Sequence, residues 1–163
     1  MRAITVSASL TASGALTLRY ALRGDSDGIR IPDPIPPGAA DGLWQHTCCE
    51  AFVATVDGPE YREFNFSPAG QWAAYRFLAC RERDTGFVPP AIPESSFQRH
   101  ADGFQLTAQI APELLPPAST FHIGLSAVIE AADGGKSYWA LAHTAAQPDF
   151  HLRQSFTLTL DRP

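Results

Sequence analysis

Alternation with a period of two constrains this chain more than any other feature. Ile4, Val6, Ala8 and Leu10 alternate with Thr5, Ser7 and Ser9, and Leu16, Leu18, Tyr20 and Leu22 alternate with Thr17, Arg19 and Ala21. Phe104, Leu106, Ala108 and Ile110 follow the same rule, as do Phe121, Ile123, Leu125, Ala127 and Ile129, and then Phe156, Leu158 and Leu160. Successive side chains of a β-strand point to opposite faces, so each run lays an apolar stripe on a core and a polar stripe away from it. Half-buried strands of this kind predict antiparallel sheet. Turn formers separate the runs. Ala12-Ser13-Gly14 predicts a hairpin between the first two, and Asp102-Gly103 and Asp133-Gly134-Gly135 punctuate later ones. The proline-rich stretches 31–38 and 87–93 lack ladder donors and read as surface loops. Helical signal is confined to short turns at Pro112-Glu113-Leu114-Leu115 and at 148–153. The expected fold is all-β: an antiparallel two-sheet β-sandwich, immunoglobulin-like or jelly-roll-like, forming a single domain over residues 1–163.

Composition closes off several classes of function. Of the 163 residues, 45% are hydrophobic and 18% charged, the opposite of a disordered chain. The formal net charge is −5, Lys136 is the one lysine, and the arginines are scattered singly. No basic stripe is available to neutralise phosphates, so no nucleic-acid partner is expected. No polybasic segment flanks an apolar run, and no stretch approaches the roughly 20 apolar residues of a spanning helix, so no membrane partner is expected. The N-terminus enters the strand pattern at once, without the apolar core of a signal peptide, which reads as a soluble, cytoplasmic protein. Cys48, Cys49 and Cys80 are an odd set with one adjacent pair, not a disulfide framework. On a strand, Cys48 and Cys49 point to opposite faces and cannot chelate one metal together.

The segment 41–80 differs from the rest. It holds two of the three Trp, all three Cys and a dense mixture of aromatic and polar side chains. A strand over 48–56 carries apolar residues at both parities, which leaves its orientation open. Tyr61–Pro68 and Gln71–Leu78, joined by a turn at Ala69-Gly70, predict a hairpin. If Phe64 and Phe66 face the core, Glu63, Asn65 and Ser67 share the opposite face. Taking Ala73, Tyr75, Phe77 and Ala79 as the core side of the second arm puts Trp72 and Arg76 beside Glu63 and Asn65. A ring to stack on a sugar and polar groups to orient it would then form one platform. The opposite parity of the second arm would send Trp72 into the core.

The runs Leu-Trp-Gln-His-Thr-Cys-Cys-Glu-Ala-Phe at 43–52, Glu-Phe-Asn-Phe-Ser-Pro-Ala-Gly-Gln-Trp-Ala-Ala-Tyr at 63–75 and Tyr-Trp-Ala-Leu-Ala-His at 138–143 resemble the DOMON-like family of bacterial proteins, as does Pro148-Asp149-Phe150-His151. That family is similar in fold to DOMON domains and to family-9 carbohydrate-binding modules. The resemblance spans most of the chain. It implies a ligand-binding β-sandwich, the ligand being sugar or haem in characterised relatives. Family-9 modules clamp sugar between two Trp rings, for which Trp44, Trp72 and Trp139 are the available counterparts.

Other chemistries are weighed residue by residue. His46, His143 and His151 are too loosely spaced for a recognisable metal motif, so no metal is expected. Met1 is the one methionine, which leaves only a bis-His arrangement for haem; no cofactor is expected. Glu50 and Glu63 could pair for glycoside hydrolysis, but strand carboxylates on a sandwich face more commonly bind a ligand or an Arg. Nucleotide-binding glycine motifs and the Gly-x-Ser-x-Gly elbow are absent. The preferred reading is a non-catalytic module binding a carbohydrate or other small polar ligand. Glu63, Asn65, Trp72 and Arg76 form the platform, joined by Glu50, and Trp44, His46, Trp139, His143 and His151 come from the rim. The alternatives are a haem-binding or redox domain, a protein-interaction module and, last, a glycoside hydrolase. The sequence gives no oligomeric state.

Overall fold

The computed structural model describes residues 3–163. Twelve strands follow in chain order: β1 Ala3–Leu10, β2 Leu16–Arg23, β3 Gly38–Ala39, β4 Cys48–Thr55, β5 Tyr61–Phe66, β6 Gln71–Ala79, β7 Glu82–Arg83, β8 Glu94–His100, β9 Gly103–Ile110, β10 Thr120–Glu130, β11 Lys136–Ala140 and β12 Leu158–Asp161. They form two sheets, the expected sandwich. The smaller has the order β1-β2-β9-β8. The larger, of eight strands, runs β11-β10-β4-β5-β6-β3, with β12 also on β10 and β7 on β6. All pairings are antiparallel except the short β3–β6 contact. The helical content among the described residues is three 3-10 turns, at Leu43–Gln45, Pro112–Leu114 and Arg153–Ser155.

The alternating runs do what their period demands. Leu16, Leu18, Tyr20 and Leu22 of β2 and Phe104, Leu106, Ala108 and Ile110 of β9 are buried on one face of the small sheet. They pack on Cys49, Ala51 and Val53 of β4, Phe64 and Phe66 of β5, and the odd-numbered apolar residues of β10. Each fully buried Leu or Phe removes enough apolar surface to contribute about 1.5–3 kcal/mol. The two sheets are also tied by a polar bond: the Tyr20 hydroxyl donates to the Glu50 backbone carbonyl at 2.6 Å. β8 escapes the period rule, because this edge strand is largely exposed and its sequence, ESSFQRH, is mostly polar.

The larger sheet has a second apolar face. Cys48, Phe52, Ala54, Tyr61, Ala73, Tyr75, Phe77 and Phe156 form a separate buried cluster on its outer side. This explains the double apolar pattern of β4: both of its faces are covered. Adjacent Cys48 and Cys49 divide between the two clusters, as strand geometry requires, and both are free thiols. Phe156 does not continue the alternation of β12. It lies before that strand and turns onto the outer face, stacking on Phe52 at 5.6 Å. Glycine at 124 makes room for it, since a Cβ there would sit 2.6 Å from the Phe156 ring.

The hairpin β5–β6 corrects one sequence expectation. Phe64 pairs with Ala74, Phe66 with Trp72, and Arg62 with Arg76. Residues directly opposite in an antiparallel pair share a face, so even-numbered residues of both arms lie together on the inner side. Trp72 therefore packs against the inter-sheet core. Arg76 lies at the same side of the sheet, bidentate to Glu60 at 2.8 and 3.0 Å and 3.5 Å from Asp84. Tyr75 and Phe77, expected in the core, belong to the outer face with Glu63 and Asn65. The shared platform of Glu63, Asn65, Trp72 and Arg76 does not form. The tertiary reason is that the outer face also buries apolar side chains, so Tyr75 and Phe77 are satisfied there.

Candidate functional site

The outer face of the eight-stranded sheet opens into a cleft of about 500 Å³. Glu50 and Glu63 lie at its floor, and Tyr75 and Phe77 continue the lining along β6. Trp44, from the 3-10 turn before β4, forms part of the wall and meets Tyr75 edge-on at 6.2 Å. Tyr138 of β11 and Phe150 form another part, their rings 6.2 Å apart. Trp44 and Tyr138 are 42% and 46% exposed, so both offer ring surface to a ligand. Arg81, Arg83 and Lys136 stand at the cleft as well.

Register builds the floor. Ser126 of β10, Glu50 of β4 and Asn65 of β5 are consecutive cross-strand neighbours on the outer face. The Asn65 amide donates to Glu63 Oε1 at 2.9 Å. Glu50 Oε1, Asn65 Oδ1 and Ser126 Oγ are buried without a hydrogen-bond partner. Burial raises the Glu50 carboxyl to about 8, and the neighbouring Glu63 adds to the rise. Burial likewise lifts Glu63 to about 7, against the opposing pull of the Asn65 hydrogen bond and of Arg83 and Arg81.

His151 seals one side of the floor. Its ring lies 5.1 Å from both Phe52 and Phe77. Its Nδ1 is 2.7 Å from the Tyr61 hydroxyl, which itself accepts the Arg81 backbone N–H at 3.1 Å. The Tyr61 proton is thus directed to Nδ1, and His151 Nε2 faces Glu63 Oε2 at 3.7 Å. Burial and the nearby Arg81 depress the imidazole to about 4, so it is neutral at pH 7.

Of the residues singled out in the sequence, Trp44, Glu50, Glu63 and His151 come together in the cleft. Asn65 lies beneath it, hydrogen-bonded to Glu63. His46 is set behind the rim, where its Nδ1 is 2.8 Å from Glu130 Oε2. The His143 ring lies 6.3 Å from that of Phe150, tilted by 37°. Trp139 pairs with Ala127 and so faces inward, against the core, as Trp72 does. The two Trp rings therefore do not face this cleft. Tyr138, one residue from Trp139, faces it instead. Tyr75, Tyr138 and Arg83 were missed by the sequence reading. The signal for them was the double apolar pattern of β4, which implied that the outer face carries aromatic rings of its own.

No family model and no curated protein matches the sequence. Solved structures do match the fold. A candidate carbohydrate-binding protein from Bacteroides uniformis ATCC 8492 superposes with a TM-score of 0.74 at 15% identity, covering 98% of this chain and 78% of that one. A family-9 carbohydrate-binding module from Caldicellulosiruptor kristjanssonii, in complex with glucose, gives 0.62 at 11% identity over 99% of this chain and 76% of the module. The same type of module in complex with cellotriose gives 0.60 at 11% identity, covering 99% and 75%. These likenesses define the architecture, a two-sheet β-sandwich similar in fold to these structures.

Proposed function

We propose that this protein is a non-catalytic carbohydrate-binding module and that the outer-face cleft holds the sugar. The observation that carries the reading is the cleft itself: exposed rings at Trp44 and Tyr138 stand beside two buried acids, Glu50 and Glu63, and Glu50 Oε1 has no hydrogen-bond partner. Rings stack on the apolar faces of a pyranose, while the floor carboxyls take its hydroxyls. The fold shared with modules solved with glucose and cellotriose supports the same reading. The proposed membership of the DOMON-like family rests on the motifs at 43–52, 63–75 and 138–143, which together supply Trp44, Glu50, Glu63 and Tyr138 to this cleft.

Calorimetric titration with glucose, cellotriose and a panel of other saccharides tests the proposal. Binding by the wild-type protein is expected, weakened at least about tenfold in Trp44→Ala through loss of stacking. Absence of binding across the panel sinks the proposal.

A further inference from the structure

The floor of the cleft holds two buried acids with no cationic partner among the described residues. Glu50 and Glu63 are both buried, yet among the described residues no lysine or arginine forms an ion pair with either. Glu63 has the Asn65 amide and, at 3.7 Å, the neutral His151 ring. Buried Glu130 shows the contrast, for it takes Arg30 at 3.1 Å and His46 at 2.8 Å. Two of the three cations around the mouth, Arg81 and Arg83, are already engaged. Arg81 holds Asp149 at 2.8 Å, and Arg83 lies 4.1 Å above the Tyr75 ring and 3.7 Å from Asp41. Lys136, the third, stands opposite Glu130 across the strand pair and forms no ion pair with Glu50 or Glu63. From beneath, the Tyr20 hydroxyl reaches only the Glu50 backbone carbonyl, and the flanking Cys48 and Cys49 thiols are held neutral by burial.

Glu50 and Glu63 both line the cleft, and Glu50 Oε1 is buried there without a hydrogen-bond partner; the cross-strand neighbours of Glu50, Ser126 and Asn65, also hold unpartnered atoms, Oγ and Oδ1, but lie outside the lining. A buried polar atom without a partner is costly, and a buried carboxylate without a counter-charge more so. A sugar hydroxyl brings one donor and no charge. A primary ammonium brings three donors and a full positive charge, which answers both deficits at once.

We infer that the cleft selects sugars bearing a free amine, with the ammonium seated at the Glu50 and Glu63 carboxyls that line its floor. This deepens the carbohydrate-binding reading and rests on it. The proton balance follows from the charges. The ammonium enters with its proton, an acid of the floor ionises against it, and the proton of that acid passes to solvent. Binding therefore releases protons, whereas binding of a neutral sugar has no need to.

The test is calorimetry on the whole protein at pH 6, with glucosamine and its β-1,4-linked trimer set against glucose, cellotriose and N-acetylglucosamine. Each titration is run in two buffers of different ionisation enthalpy, so that released protons are counted. The amine-bearing sugars are expected to bind at least about tenfold more tightly than their neutral counterparts, with proton release. In Glu50→Gln, with folding checked by circular dichroism, the preference and the proton release are both expected to disappear. Should that variant fail to fold, the two-buffer comparison on the wild-type protein decides alone. Neutral sugars binding as tightly as amino sugars, or amino sugars binding without proton release, overturns the inference and leaves the carbohydrate-binding reading intact. A protein that binds none of these sugars overturns both.

Discussion

On the inner side of the eight-stranded sheet, Phe64, Phe66 and Phe121 are sealed against a second sheet. On the outer side, Phe52, Tyr61 and Phe77 are just as aromatic but meet Phe150, His151 and Phe156 from the segment that links β11 to β12. The inner cover is nearly complete, leaving a gap of about 80 Å³ beside Ile4, Val6 and Trp139. The outer cover is partial, and a cleft with an acidic floor remains beside it. Apolar residues alone thus do not distinguish a core from a site. The distinction lies in whether a complementary surface closes over them, and in the polar groups left behind where none does. Glu50, Glu63 and Asn65 sit on the open side, and the inner side carries no counterpart to this buried acid pair in its cluster.

Substitutions on either face should separate the two roles. Phe64→Ala is the most severe, expected to cost about 3–5 kcal/mol because it empties a fully buried inner-face position; urea denaturation measures it. Trp72→Ala should follow, at about 2–3 kcal/mol, since the ring is only partly buried against the same core. Any sugar affinity of the folded Trp72→Ala protein should be unchanged, and a specific loss of binding would overturn the assignment of Trp72 to the inner face.

The outer face should announce itself through pH. Glu50 and Glu63 have folded-state pKa values raised to about 8 and about 7, so between the ordinary carboxylate range and those values the native state holds protons that the unfolded chain has lost. Their contribution therefore makes stability fall as pH rises, levelling off above about 8. His151, depressed to about 4, works the other way below its ordinary value of 6.5, where the unfolded chain takes up the proton first. The two trends overlap below 6.5, so the window from there to about 8 isolates the acids. Thermal melts across that window should show a decline on the order of 1 kcal/mol per pH unit. Glu50→Gln should flatten it, and an unchanged slope in that variant would show that Glu50 does not hold the proton. The smallest effect on stability belongs to Trp44→Ala. This exposed ring should change unfolding by no more than about 0.5–1 kcal/mol, in contrast to its effect on sugar binding.

Much of this architecture was legible in the residues. The runs beginning at Ile4, Leu16, Phe104 and Phe121 lie in strands of a two-sheet sandwich, because a period of two admits little else. The hairpin at Ala12-Ser13-Gly14 and the 3-10 turn at Pro112 lie where turn chemistry placed them. The polar edge strand β8 carried no hydrophobic stripe and was not visible. Of the candidate site, Trp44, Glu50, Glu63 and His151 were identified from their types and positions, and the cleft gathers all four.

Local pattern determined that these segments are strands and which residues alternate within each, since pleat and side-chain direction are set by the backbone of one strand. It did not determine which parity of β6 meets which parity of β5. That depended on the register of the hairpin, in which Phe64 faces Ala74, and on the existence of a second apolar surface able to receive Tyr75 and Phe77. Nor could it tell that Tyr138, and not Trp139, would face the cleft, because the choice is made by the pairing of Val128 with Tyr138 across β10 and β11. A one-residue change of register exchanges the two faces of a strand. Only the assembled sheets, each face either covered or left open, decided which aromatic rings became core and which came to line the cleft.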